Sequence, residues 1–219
     1  MIVIIDCQLG NLRNVQKAFE RIGLDTKISN NIEDIQNADG YILPGVGAFG
    51  SAMAHLHSLN LVEPLRHNII QEKKPILGIC LGMQILGERG FEDGEHEGLG
   101  ILPMTIQKLN TGENLPLPHI GWNKIDVKSS SVLFKGIPPD ADVYFVHSYH
   151  AVCEDNEIVA ATCNYGTNFV AAIEMDNVFA TQFHPEKSQA YGVKILENFA
   201  NYCHANIQNS HNSEVASRD

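Results

Sequence analysis

The chain opens on a run of apolar, mostly β-branched residues, Ile2-Val3-Ile4-Ile5, that stops at Asp6 and a polar loop. That is the pattern of a short parallel strand buried on both faces. Over residues 12–22 the period changes: Leu12, Val15, Ala18, Phe19 and Ile22 fall on one helical stripe, with Asn11 placed to cap the start and Gly23 to end it. Residues 24–28 read as a second strand and the polar residues 30–35 as a short helix. Residues 40–43 make a third strand, running into the rigid turn Pro44-Gly45-Val46-Gly47. Residues 48–56 and 61–72 read as helices, the second tolerating Pro64 in its first turn. Four alternations of strand and helix, counting the strand and helix around Cys80, predict a doubly wound, mostly parallel α/β sheet with right-handed crossovers.

After Gly87 the character changes. Phe91-Glu-Asp-Gly-Glu-His-Glu-Gly98 is acidic, residues 101–109 are strand-like, and residues 110–118 form a loop. Four β-rich runs over residues 143–146, 158–163, 170–174 and 178–183 predict an antiparallel C-terminal extension of the sheet. Residues 193–203 close the fold as a helix, and the polar, unpatterned residues 206–219 are expected to be a disordered tail beyond a domain of residues 1–205.

The stretch Pro75-Ile-Leu-Gly78-Ile-Cys80-Leu-Gly82-Met-Gln84 organises the rest. A buried strand stops at a cysteine that opens a helix, with glycines two residues to either side: the thiol form of a nucleophile elbow, where small residues let strand and helix approach. The free N–H groups of a helix start favour negative charge on the sulfur, and that of Leu81 can bind an oxyanion formed by its attack on a carbonyl. The competing reading is a buried core cysteine. Far downstream, His184-Pro185-Glu186 supplies an imidazole and a carboxylate. Proline biases His184 to extended backbone, in which residues 184 and 186 share a side and the carboxylate orients the ring. Cys80, His184 and Glu186 together specify an acyl-transfer triad. Cys7 also ends a strand, but Asp6 opposes its ionisation and it lacks the glycines, so it reads as structural.

At 219 residues and 44% hydrophobic content the chain suits one domain with a substantial core. A net charge of -11 without any basic run argues against nucleic acid as partner. Five scattered cysteines with no C-x-x-C pair argue against a disulfide framework and a structural zinc, and imply a reducing cytoplasm. No export signal and no membrane span are expected. Metal is not expected either: His55 and His57 would point apart on a helix, and His147 and His150 would face opposite sides of a strand. Gly98-Leu-Gly100 is not a dinucleotide fingerprint, so no cofactor is expected. Trp122, the only tryptophan, is open to two readings, core residue or interface anchor.

Cys80 in its elbow and His184-Pro-Glu186 resemble the class I glutamine amidotransferases, which have a flavodoxin-like α/β fold. Within that class the chain is most similar to the glutaminase subunits of imidazole glycerol phosphate synthases, through Pro44-Gly-Val-Gly-Ala-Phe49, His119-Ile-Gly-Trp-Asn123, Tyr144-Phe-Val-His-Ser-Tyr149 and His184-Pro-Glu-Lys-Ser188. The resemblance spans nearly the whole chain up to the tail. It implies hydrolysis of glutamine through a thioester on Cys80, with His184 as base then acid and Glu186 orienting it. It also implies oxyanion donors at Leu81 and the Val46/Gly47 turn, a turn thought in this family to need reorientation when the synthase is loaded. Gln84, Ser148 and Tyr149 match positions that hold the substrate's amino-acid end. Ammonia is expected to pass to a (β/α)8 cyclase partner, near whose interface Trp122, Asn123, Tyr144 and Lys187 would lie. Asp6-Cys7-Gln8-Leu9-Gly10-Asn11 departs from the family's usual aromatic and glycine residues there, which leaves open a paralogous synthase that modifies nucleotide sugars. A catalytically silent scaffold is the third reading.

Overall fold

The computed structural model describes residues 1–216 other than Asn11 and Asn114, so the expected Asn11 cap lies outside the described residues. The first half runs β1 (Ile2–Ile5), α1 (Leu12–Arg21), β2 (Thr26–Ser29), α2 (Ile32–Asn37), β3 (Gly40–Gly45), α3 (Phe49–Ser58), α4 (Val62–Ile70), β4 (Ile76–Cys80) and α5 (Leu81–Ile85). Then follow β5 (Arg89–Gly90), β6 (His96–Glu97), β7 (Met104–Lys108), β8 (His119–Val127), β9 (Asp142–His147) and β10 (Tyr149–Cys153). The chain ends through β11 (Val159–Tyr165), β12 (Thr167–Met175), β13 (Val178–Thr181) and α6 (Gln189–Ala216).

Among the described residues the main sheet has nine strands in the order β2-β1-β3-β4-β13-β12-β11-β8-β9. Its first five strands pair in parallel and the rest are antiparallel. This is the flavodoxin-like order with the expected antiparallel extension. The apolar run of β1 is explained by its two faces: Ile2 and Ile4 pack into one core cluster while Val3 and Ile5 pack into the other.

Three of the boundaries that differ from expectation have a clear local reason. Leu24 stays out of β2 because its N–H bonds the Phe19 carbonyl and that of Gly23 bonds Glu20, a helix-terminating pair of bonds that Gly23 permits at φ 78. Pro44 and Gly45 belong to β3, since Gly45 pairs with Cys80, so the turn proper is Val46-Gly47. The closing helix runs on to Ala216; its buried stripe Ile195, Leu196, Phe199, Ala200 and Cys203 ends where packing was expected to end, but no glycine or proline follows to stop the helix.

A second sheet, β10-β7-β5-β6, was not foreseen. Two of its strands are two residues long, and β7 pairs with β10 across a wide gap in sequence, so no local pattern announces it. Its role is to carry Ser148 and Tyr149 back across the end of β4.

Candidate active site

Cys80 ends β4 at φ 55, ψ -110, a strained region that few non-glycine residues enter and that recurs at nucleophile turns. The flanking glycines are packing requirements. A Cβ on Gly78 would sit 2.7 Å from Leu86 Cδ1 and 2.9 Å from the Gly82 oxygen, while one on Gly82 would collide with the Leu43 carbonyl oxygen of β3. The sulfur is therefore presented at the start of a helix of only five residues, α5, whose first-turn N–H groups have no partners inside the helix.

His184 follows β13 in extended conformation, φ -99 and ψ 95, and caps a 3-10 turn over Pro185–Lys187. Glu186 thus reaches the ring from a turn and not along an extended strand as the sequence suggested. The pair still closes, with Nδ1 2.8 Å from Glu186 Oε1 and both side chains about 5% exposed or less. A carboxylate accepts, so Nδ1 carries the hydrogen and Nε2 is left for the sulfur. Nε2 is buried without a hydrogen-bond partner, while Cys80 is close enough to favour the charged ring. Burial opposes protonation of the ring, but Cys80 first and Glu186 next outweigh it, raising the imidazole to about 9.

Because that value lies above the ordinary 6.5, the charged arrangement contributes stability that is complete below about pH 6.5 and is lost as pH rises through about 9. Removing either partner, in Glu186→Gln or Cys80→Ala, is expected to lower the His184 midpoint followed by imidazole NMR. A midpoint unmoved in both variants would refute this coupling.

A cavity of about 240 Å³ opens at the elbow. Val46, Gly47, Leu81, Gln84, Ser148 and Tyr149, all anticipated from sequence, line it together with Cys80. Gly47 holds φ 107 with nothing near its missing side chain, so backbone conformation requires the glycine there. Cys80 is only 6% exposed, yet it faces this cavity, which removes the core-cysteine reading. Glu92, also on the cavity wall, was missed: within an acidic run nothing local distinguished it. Its Oε2 accepts from the Phe49 N–H at 2.9 Å, tying the loop to the start of α3. Among the described residues no group of three or more metal-ligating side chains occurs, and no helix is long and apolar enough to cross a membrane.

The family model of class-I glutamine amidotransferases matches residues 3–202. The chain belongs to the class-I glutamine amidotransferases. Imidazole glycerol phosphate synthase subunit HisH 1 of Campylobacter jejuni subsp. jejuni (strain 81-176) is 50% identical over 200 residues, covering 91% of this chain and 99% of that protein. Subunit HisH of Aquifex aeolicus is 50% identical over 198 residues, covering 90% and 94%. Among solved structures, a putative GMP synthase subunit from Thermoplasma acidophilum superposes with TM-score 0.74 at 23% identity, covering 96% of each chain. PurLQS from Thermotoga maritima superposes with TM-score 0.72 at 19% identity, covering 92% of this chain and 97% of that one; these likenesses speak to fold.

In this amidotransferase Trp122 is 47% exposed, so the core reading does not hold. It pairs across β8 and β9 with Tyr144, the rings meeting edge to face at 5.9 Å, and Lys187 Nζ lies 5.7 Å over the Tyr144 ring. Asn123 is spent locally, donating to the Asn164 carbonyl at 3.0 Å. Ile120, 59% exposed on the same side of β8 as Trp122, extends the patch and was not singled out from sequence. Its signal was the period of two in Ile120-Gly-Trp122.

The amidotransferase's remaining histidines and cysteines fall outside the triad. His147 and His150 sit on β9 and β10, in different sheets, and not on one strand as expected. His147 instead meets His119, Nε2 to Nδ1 at 3.1 Å. Burial pushes His119 down to about 4 and His147 to about 3, so both rings are neutral. Cys7 is buried, and burial followed by Asp6 pushes its thiol up to about 12, an inert, structural position.

Proposed function

We propose that this chain is the glutaminase subunit of an imidazole glycerol phosphate synthase, hydrolysing glutamine to glutamate and passing ammonia to a (β/α)8 cyclase subunit. The observation that carries the reading is the His184–Glu186 pair, 2.8 Å apart, beside a cysteine that opens onto a cavity. Identity of 50% to synthase subunits over nearly their full length supports the assembly.

In this reading His184 Nε2 takes the Cys80 proton and the sulfur attacks the side-chain amide carbon of glutamine. The oxyanion is held by the N–H of Leu81 and by the Val46/Gly47 turn. His184 then gives its proton to the departing ammonia, leaving a thioester on Cys80, and next removes a proton from the water that releases glutamate. Gln84, Ser148 and Tyr149 hold the amino-acid end, and the Glu92 carboxylate complements its ammonium.

Ammonia released into water would protonate and be lost as a nucleophile, which supports a docked acceptor that receives it directly. Trp122, Tyr144 and Lys187, joined by Ile120, form the proposed docking face, an exposed aromatic and apolar patch bearing one cation, with Asn123 beside it on β8 already donating to Asn164. Five free cysteines and the acidic charge suit a reducing cytoplasm.

The test is co-purification with the synthase, then covalent labelling of Cys80 by a glutamine-mimicking electrophile with and without it. Labelling and glutamine turnover are expected to rise when the imidazole-pathway acceptor is loaded. Stimulation by a nucleotide-sugar acceptor instead would assign the chain to another synthase, and no labelling in either state would mark a silent scaffold.

A further inference from the structure

Gln182 is fully buried, stands two residues before His184, and has no part in the proton transfers above. Its side chain nevertheless reaches the sulfur: Nε2 lies 3.8 Å from Cys80 Sγ. Its Oε1 lies 3.1 Å from Gln84 Nε2, which in turn lies 3.1 Å from the Tyr149 carbonyl oxygen.

That carbonyl fixes the direction of the whole chain, because it can only accept. Gln84 must therefore turn its NH2 group toward it, placing the second hydrogen of that group on Gln182. The Gln182 atom receiving it must be the oxygen, and the atom left against the sulfur must be the nitrogen. Reversing Gln182 would oppose two donors at Gln84 and set an oxygen against the sulfur, and reversing Gln84 would set its oxygen against two acceptors at once. His147 reinforces the anchor, since its Nδ1 donates to the same Tyr149 oxygen at 2.9 Å, leaving its Nε2 to accept from His119. The sulfur thus has an acceptor near it, the Val146 carbonyl at 3.8 Å, and an oriented amide donor. A thiol can use the first; only the donor improves when the sulfur carries charge.

We propose that Gln182 is a catalytic residue: its amide, held in one orientation by Gln84 and the Tyr149 carbonyl, donates to Cys80 Sγ and favours the thiolate over the thiol. The inference rests on Cys80 being the nucleophile. The same bond stabilises the sulfur as leaving group when water breaks the thioester, the C–S electron pair returning to the sulfur.

Alkylation by iodoacetamide across a pH series, read at the Cys80 peptide by mass spectrometry in the full chain, tests this without using turnover. Gln182→Met keeps the length and removes the donor. It is expected to slow Cys80 alkylation about tenfold at neutral pH and to match the parent at alkaline pH, where a thiol ionises unaided. Gln182→Glu, which puts an oxygen against the sulfur, is expected to slow it further, and it serves as the test if the methionine variant does not fold. A profile that overlays the parent, or a slowing equal at every pH as packing damage would give, overturns the proposal. If the parent's Cys80 reacts no faster than its half-buried Cys153, the nucleophile reading itself falls; a fast parent with unchanged variants removes only the role of Gln182.

Discussion

Cys80→Ala is expected to lose glutamine hydrolysis by about 10⁴-fold or more while the assembled synthase still uses added ammonium salts. Removing the nucleophile leaves only binding and oxyanion stabilisation, and members of a triad fail together and not additively. The substitution keeps Cβ and the backbone of the elbow, and it deletes one sulfur from a site that opens onto a cavity, so the proposed docking face should persist. Glutamate release and ammonium-supported product formation, measured on the same complex, separate the outcomes. Persisting glutamate release would reject the sulfur as nucleophile, and loss of both activities would show that the cysteine matters for structure instead.

Gly82→Ala should have the largest effect on stability of any single methyl added to this chain. On an ordinary helix the change would be favourable by ~0.5–1 kcal/mol, because alanine loses less backbone freedom. Here the new Cβ meets the Leu43 carbonyl oxygen and lies 2.7 Å from its carbon. Backbone in the centre of a parallel sheet cannot swing aside. Either α5 lifts from β3, parting the Gly45 and Cys80 neighbours, or the sheet opens. A loss of about 4 kcal/mol or more, or failure to accumulate as soluble protein, is expected. Gly23→Ala is the control: nothing lies within 4 Å of its Cβ, so only its positive φ is felt, at ~1–2 kcal/mol. Urea denaturation of the two variants tests the ranking; equal losses would mean that the approach of helix to strand is not the reason for the glycine.

The elbow illustrates why so much of the site was legible in the chain. Gly78, Cys80 and Gly82 lie within five residues of one another, so the pattern of the strained turn is written locally even though the backbone that Gly82 must clear, at Leu43 of β3, is not. His184 and Glu186 were legible for the same reason, although the route by which the carboxylate reaches the ring was not: a proline-led 3-10 turn replaced the extended geometry. Glu92, Gln182 and the His119–His147 contact were illegible because each acquires its meaning from a residue far away in sequence. Gln182 stands two positions before His184, yet only Gln84, 98 residues earlier, gives its amide a direction.

By itself the sequence determined the alternation of β and α elements, the two-faced burial of β1, the elbow and the imidazole–carboxylate pair, since each is carried by side-chain periods and residue spacings within a few positions. The tertiary structure decided the second sheet, the cavity wall supplied by Glu92, and the exposure of Trp122. These are consequences of strand pairing across long loops, where closure brings together backbone donors, acceptors and surfaces that no short-range pattern specifies.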